Sequence, residues 1–288
     1  MILRRVLSHF PVTPVIAAAI ALICAGCGDR SANMSAAATP ITTAAAAEAQ
    51  PETDSGKGPG YTYTISYPTL DPQWHALDKA IREFAAAQKK EFMQASTAAE
   101  HDVGVGYSLD LNFAVARRTA DFVSVTASGS SFVGGAHGMP IVASFNLDLS
   151  NGKLTTLSDL FTDAQAGLKA LSAECRRQLE GRYEARLREN PGAMTPTQQA
   201  SAIQSMQQWI EKGTAPEAAN FAVFLIDGLD TRAIGVTVIF PPHQVASLAG
   251  GTQQVEVPAM VFYDLLKPEY KDAFAIDTEA RKLGAGVR

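Results

Sequence analysis

The residues of this chain whose types could do chemistry are few and scattered. Beyond the first 26 residues the histidines are His75, His101, His137 and His243, and no two stand at His-x-x-x-His, His-x-His or another metal-ligand spacing. No metal and no cofactor is expected. There is no Gly-x-Ser-x-Gly elbow and no phosphate-binding P-loop. Ser131 precedes His137 closely, but a nucleophile–base pair also needs an orienting group and an oxyanion hole, which spacing alone does not supply. No catalytic residue is assigned. His137 lies in Gly134-Gly135-Ala136-His137-Gly138, where glycine permits positive φ and a tight bend. Its imidazole can hydrogen-bond backbone and anchor the loop, or it can meet a ligand. Gly134, Gly135, His137 and His243 are carried forward with both readings open.

Cysteine offers a different chemistry. Arg4 and Arg5 precede an apolar run, Val15–Ile23, which ends at Cys24-Ala25-Gly26-Cys27. A bilayer span takes about 20 apolar residues, so this run is too short, and residues 1–26 are expected to be a signal peptide. The tetrapeptide resembles the lipobox of bacterial lipoproteins, with Cys24 where Leu is usual. That resemblance implies acylation of the Cys27 thiol and a membrane anchor. Gly28 follows Cys27 where Asp would signal retention, which implies the periplasmic face of the outer membrane in a diderm host. Residues 27–59, rich in Ala, Thr, Ser, Pro and Gly without apolar periodicity, are expected to form a flexible tether.

Composition bounds the partners. Hydrophobic residues make up 47% of the 288 and charged residues 18%, which is globular. Removing residues 1–26 takes away two arginines and no acids, leaving 22 basic against 29 acidic residues and a formal charge of −7. A nucleic-acid partner would need a basic stripe and is not expected, whereas a cationic partner is tolerated.

The elements that must position these residues follow from periodicity. Tyr61–Tyr67 reads as a strand. Trp74, Leu77, Ile81, Phe84 and Phe92 fall on one helix face, with Asp71 as its N-cap. Alternation around Leu109–Val115, Val123–Val125 and Phe145–Leu149 predicts half-buried antiparallel strands, and Asn151-Gly152 a turn. A long helix runs from Leu157–Phe161 to Asn190, with Leu168, Leu171, Cys175 and Leu179 on its apolar face. Cys175 is thus expected to be a buried hydrophobe. A second helix begins at Thr195-Pro196, with Ile203, Met206 and Ile210 inward. A hairpin around Asp227-Gly228, a strand at Val255–Pro258 and a short helix near Met260–Leu266 complete an α+β fold. Its expected architecture is antiparallel sheet with helices packed on one face.

From Gly134 onward a series of motifs appears in order: GGAHG, then Leu147-Asp148-Leu149-Ser150-Asn151-Gly152-Lys153, Leu157-Ser158-Asp159-Leu160-Phe161, Asp227-Gly228-Leu229, and Phe240-Pro241-Pro242-His243-Gln244-Val245-Ala246. Their order resembles the domain of unknown function at the C-terminal end of the RsiV anti-sigma factors, shared with the PdaC peptidoglycan deacetylases. The resemblance implies a small α+β subdomain over 60–133 and the main domain over 134–288. The family commonly has Tyr where His243 and Leu248 stand. In RsiV the ectodomain binds lysozyme, which implies a binding module for lysozyme or peptidoglycan here. The segment ahead of Cys27 leaves no room for a sigma-binding domain, so an anti-sigma role is not expected. In PdaC a separate domain does the chemistry, and its paired-Asp and His motifs have no match in this chain. The alternatives are an envelope glycan hydrolase or deacetylase, or a structural envelope lipoprotein.

Overall fold

The computed structural model describes residues 52–98, 106–190, 192–229 and 231–276. Cys27 and the expected signal peptide lie outside the described residues, as does His101. Among the described residues no helix is long and apolar enough to cross a membrane.

Six strands form the first sheet in sequence order: β1 (Glu52–Gly58), β2 (Tyr61–Tyr67), β3 (Tyr107–Arg118), β4 (Phe122–Phe132), β5 (Met139–Asp148) and β6 (Lys153–Leu154). Every pairing is antiparallel except β2 with β3, which is parallel. The connection between those two contains helix α1 (His75–Ala98), and a crossover of that length returns the chain in the same direction. Leu109, Leu111 and Phe113 of β3 and Val123, Val125 and Ala127 of β4 point to one face. There they meet Leu77, Ile81, Ala85 and Phe92 of α1 in a dry core. Asp71 does not cap this helix. Its side chain accepts the backbone N–H of Gln73, and its carbonyl that of Trp74, so the turn through Pro72 delays the helix until His75.

Strand β1 corrects the expected tether, because residues 52–58 pair with β2 at all seven positions. The segment lacks apolar periodicity, yet an edge strand needs only backbone donors and acceptors beside it. Gly56 and Gly58 lie under the rings of Tyr63 and Tyr61, which occupy the space their side chains would take. Arg82 of α1 reaches across to Glu52 at 2.8 Å and also pairs with Asp78, and Lys89 reaches Asp54 at 2.8 Å. Arg82 and Lys89 also lie over the Tyr67 and Tyr63 rings.

A second sheet runs β7 (Phe224–Leu229), β8 (Arg232–Phe240), β9 (Gln253–Pro258), all antiparallel. It builds a separate core with helix α2 (Ala164–Glu189), through Leu168, Leu171, Cys175 and Leu179, and with Ile210 of α3 (Pro196–Gly213). The caps match their sequence signatures: Asp163 accepts two N–H groups at the start of α2, and Thr195 with Gln198 closes a capping box on α3. Met260–Leu266 forms two 3-10 turns rather than an α-helix. The fold is α+β as expected, with α1 packed on one face of the first sheet and α2 packed on the second sheet. The expected boundary between residues 133 and 134 falls in the turn joining β4 to β5, and the first sheet runs through it as one ladder.

The two sheets meet through polar groups. Strand β7 is an edge strand whose outward backbone faces β4 and β5. Ser144 Oγ accepts the N–H of Phe224 at 2.8 Å, Asn146 Nδ2 donates to the Phe224 carbonyl at 3.0 Å, and Ser124 Oγ accepts the N–H of Ile226 at 3.0 Å. Ser124 in turn donates to Asn146 Oδ1, and both are buried. The far edge is covered too, since Gln178 and Arg182 of α2 donate to the β9 carbonyls of Glu256 and Gln254. A bulge between Val115 and Arg117 reverses the alternation at the end of β3. It sends Arg117 to Asp227 on β7 at 3.0 Å and Arg118 over the Trp74 ring on the opposite face.

Candidate binding surface

The sequence-predicted residues are placed in two separate loops. Gly134 and Gly135 adopt φ of 105° and 94° in the β4–β5 turn, as a tight bend requires, and His137 stands exposed beyond them. Among the described residues its ring has no hydrogen-bond partner, so the loop is held by its glycines and the ladder below. His243 follows β8 and is the one described non-glycine residue with positive φ, 72°. Its ring is exposed, and its carbonyl accepts the Trp209 indole N–H at 3.0 Å. The structure therefore does not assemble the two histidines with a carboxylate. His75 is exposed at the first turn of α1.

The motifs that carry the sequence resemblance hold the framework. The Asp148 carboxylate gathers the Ser150 N–H and hydroxyl and the Asn151 amide, and accepts the Tyr270 hydroxyl at 3.0 Å. Burial, aided by that bond, pushes the Tyr270 phenol up to about 12. Asp159 closes a capping box with Thr156, whose hydroxyl bond holds the carboxyl below its ordinary range. Asp227 joins Arg117 to Thr237 across strands. Gln244 donates to the carbonyls of Gly213 and Asn220, and a side chain at Gly213 would collide with the Gln244 backbone. Cys175 is fully buried, and desolvation raises its thiol to about 12, so it packs as a hydrophobe.

A cleft of about 370 Å³ opens where β5 and β6 meet the second sheet. Its walls are largely Phe145, Leu154, Leu157, Leu168, Phe221 and Phe224, with hydroxyls from Ser144, Thr155 and Thr156, and neither histidine nor carboxylate is among its lining residues. Among the described residues no group of three His, Cys, Asp or Glu side chains could hold a metal ion.

The face of the first sheet opposite α1 is an ordered polar surface. Strand register aligns Ser55, Thr64, Asp110, Ser130 and Pro140 in one row, and Thr53, Ser66, Asn112, Ser128 and Val142 in the next. At a strand spacing of about 4.8 Å each row crosses roughly 19 Å. Thr53, Ser55, Thr64, Asp110, Asn112 and Ser128 are exposed, and Asp110 is the one charge in the two rows. Strand β7 covers this face at one end, where Ser124, Ser144 and Asn146 bind it and Arg117 reaches Asp227. Sequence reasoning passed over this surface, although the Ser, Thr and Asn alternation of β2 to β4 was its available signal.

No family model matches the chain. Its sequence is 21% identical over 211 residues to the peptidoglycan-N-acetylmuramic acid deacetylase PdaC of Bacillus subtilis, a match covering 73% of this chain and 40% of PdaC. The chain therefore spans less than half the length of that relative. In fold it is similar to a DUF3298 family protein of Pseudomonas aeruginosa, with a TM-score of 0.53 at 18% identity over 76% of this chain and 94% of that one. A member of the same family from Bacteroides fragilis aligns with a TM-score of 0.48 at 16% identity, over 76% of this chain and 92% of that one. The chain thus resembles PdaC in sequence and a DUF3298 protein in fold.

Proposed function

We propose that this chain is a non-catalytic binding module of the bacterial cell envelope, anchored through a lipid on Cys27, that recognises peptidoglycan or a muramidase such as lysozyme. The observation that carries the reading is the open, shallow polar face of the first sheet, which offers many weak donors and acceptors and no converging acid–base pair. The match to a peptidoglycan deacetylase supports the envelope setting. A formal charge of −7 on the chain without residues 1–26 favours encounter with a cationic enzyme such as lysozyme. The same match favours a second reading, an envelope glycan deacetylase or hydrolase.

Two measurements test this. Full-length protein in detergent is passed over immobilised c-type lysozyme at low and moderate salt, and is separately sedimented with purified peptidoglycan sacculi. Retention by either supports the reading, and loss from both overturns it. Release of acetate or reducing ends from the sacculi overturns its non-catalytic part. For the anchor, a fatty-acid label should enter the wild type and be lost in Cys27→Ala; equal labelling removes the anchor.

A further inference from the structure

We infer that the polar face of the six-stranded sheet is a site for an uncharged glycan strand, laid across β2, β3 and β4. This rests on the binding-module reading and names its site and ligand class. A solvated sheet face is ordinarily studded with Lys and Glu, which keep water bound and other chains away. Here the exposed rows are hydroxyls and one carboxamide, with Asp110 as their single charge. Such a face has little to offer a polyanion, which finds no opposing charge in number along these rows. It suits a neutral polyol, whose hydroxyl and acetamido groups exchange one hydrogen bond for another.

Geometry gives the direction. Thr64, Asp110 and Ser130 form one line across three strands, and Ser66, Asn112 and Ser128 the next. The strand spacing of about 4.8 Å is close to the length of one pyranose ring along a β-1,4-linked chain, so successive sugars meet successive strands. Asp110 and Asn112 lie side by side on β3 at the middle of the two lines, and their planar groups can each engage two neighbouring hydroxyls of one sugar.

The probes are chitotetraose, a neutral oligomer of N-acetylglucosamine, by calorimetry, and purified sacculi by sedimentation. The wild type should bind both. Asp110→Ala with Asn112→Ala should weaken each by about tenfold, as loss of a few uncharged hydrogen bonds predicts. Thr64→Arg, which leaves the core untouched, should block the face sterically. Lys79→Gln, on α1 and away from this face, should bind as wild type does. A thermal melt of each variant separates lost binding from lost folding. If the wild type binds sacculi while the face variants bind equally well, the site is wrong and the binding-module reading survives. Retention by lysozyme with no binding to either glycan overturns the glycan inference alone. Loss of lysozyme and both glycans together overturns both.

Discussion

Helix α1 grips one face of the six-stranded sheet with rings and aliphatic chains, whereas the second sheet is joined to the other face by Ser124, Ser144 and Asn146. The first contact buries Leu77, Ile81 and Phe92 against β3 and β4, and sets the Phe84 ring edge-on to Phe145 of β5 at 5.5 Å. It is strong and non-directional, so volume matters more than angle. The second rests on three polar side chains, Ser124 and Asn146 buried and Ser144 half-buried, that meet specific backbone atoms of β7, while Ser124 also donates to Asn146 Oδ1. Its net contribution is small, but breaking it leaves buried groups unpaired, and that fixes where β7 must lie. Apolar packing decides that the layers associate; the hydrogen bonds decide how they align.

The comparison can be broken most forcefully on the α1 side. Phe92→Ala should cost about 3–5 kcal/mol in chemical denaturation, while Phe92→Leu costs less than about 1.5 kcal/mol. Equal losses would show that angle matters there as well. On the polar side, Ser124→Ala and Asn146→Ala should each cost about 1–3 kcal/mol by stranding the Ile226 N–H or the Phe224 carbonyl. The double variant should depart from additivity by about 0.5 kcal/mol or more, whereas Ser124→Ala combined with Phe92→Ala should add. Arg82→Ala, which frees Glu52 on β1, should cost less than about 1 kcal/mol and lose its effect at high salt.

The smallest effect at neutral pH belongs to Cys175, and its sign is fixed. Burial raises the folded thiol from 9.0 to about 12. Below pH 9 it is protonated in both states and contributes no pH dependence. Above that the unfolded chain ionises first, so stability falls as pH rises toward 12. Replacing it with Ala should flatten that alkaline slope in pH-dependent melts, and the native thiol should resist a thiol reagent at pH 8 until the chain unfolds.

Much of this fold was legible in the chain. Alternation at Leu109–Val115 and Val123–Val125 located β3 and β4, Thr195-Pro196 marked the start of α3, and Leu168, Leu171, Cys175 and Leu179 defined the buried face of α2. Strand β1 was not legible, because Glu52–Gly58 has no apolar side and exists through what Tyr61, Tyr63, Arg82 and Lys89 supply from elsewhere. The separation into two sheets was hidden for a similar reason: a period of two shows which residues share a face, but not which faces meet. The polar rows needed register as well, since Thr64, Asp110 and Ser130 are distant in sequence and aligned only once the strands pair. The histidines drew attention by their chemistry, and the structure leaves both at loop tips.

The covered borders of the second sheet have a consequence for life at high density. β7 has already given the Phe224 N–H and carbonyl and the Ile226 N–H to Ser144, Asn146 and Ser124, and two β9 carbonyls are held by Gln178 and Arg182. A neighbouring copy could extend this sheet into a fibril-like stack only by first tearing out bonds that are already made. Molecules crowded side by side would therefore not join through this second sheet without first breaking those bonds.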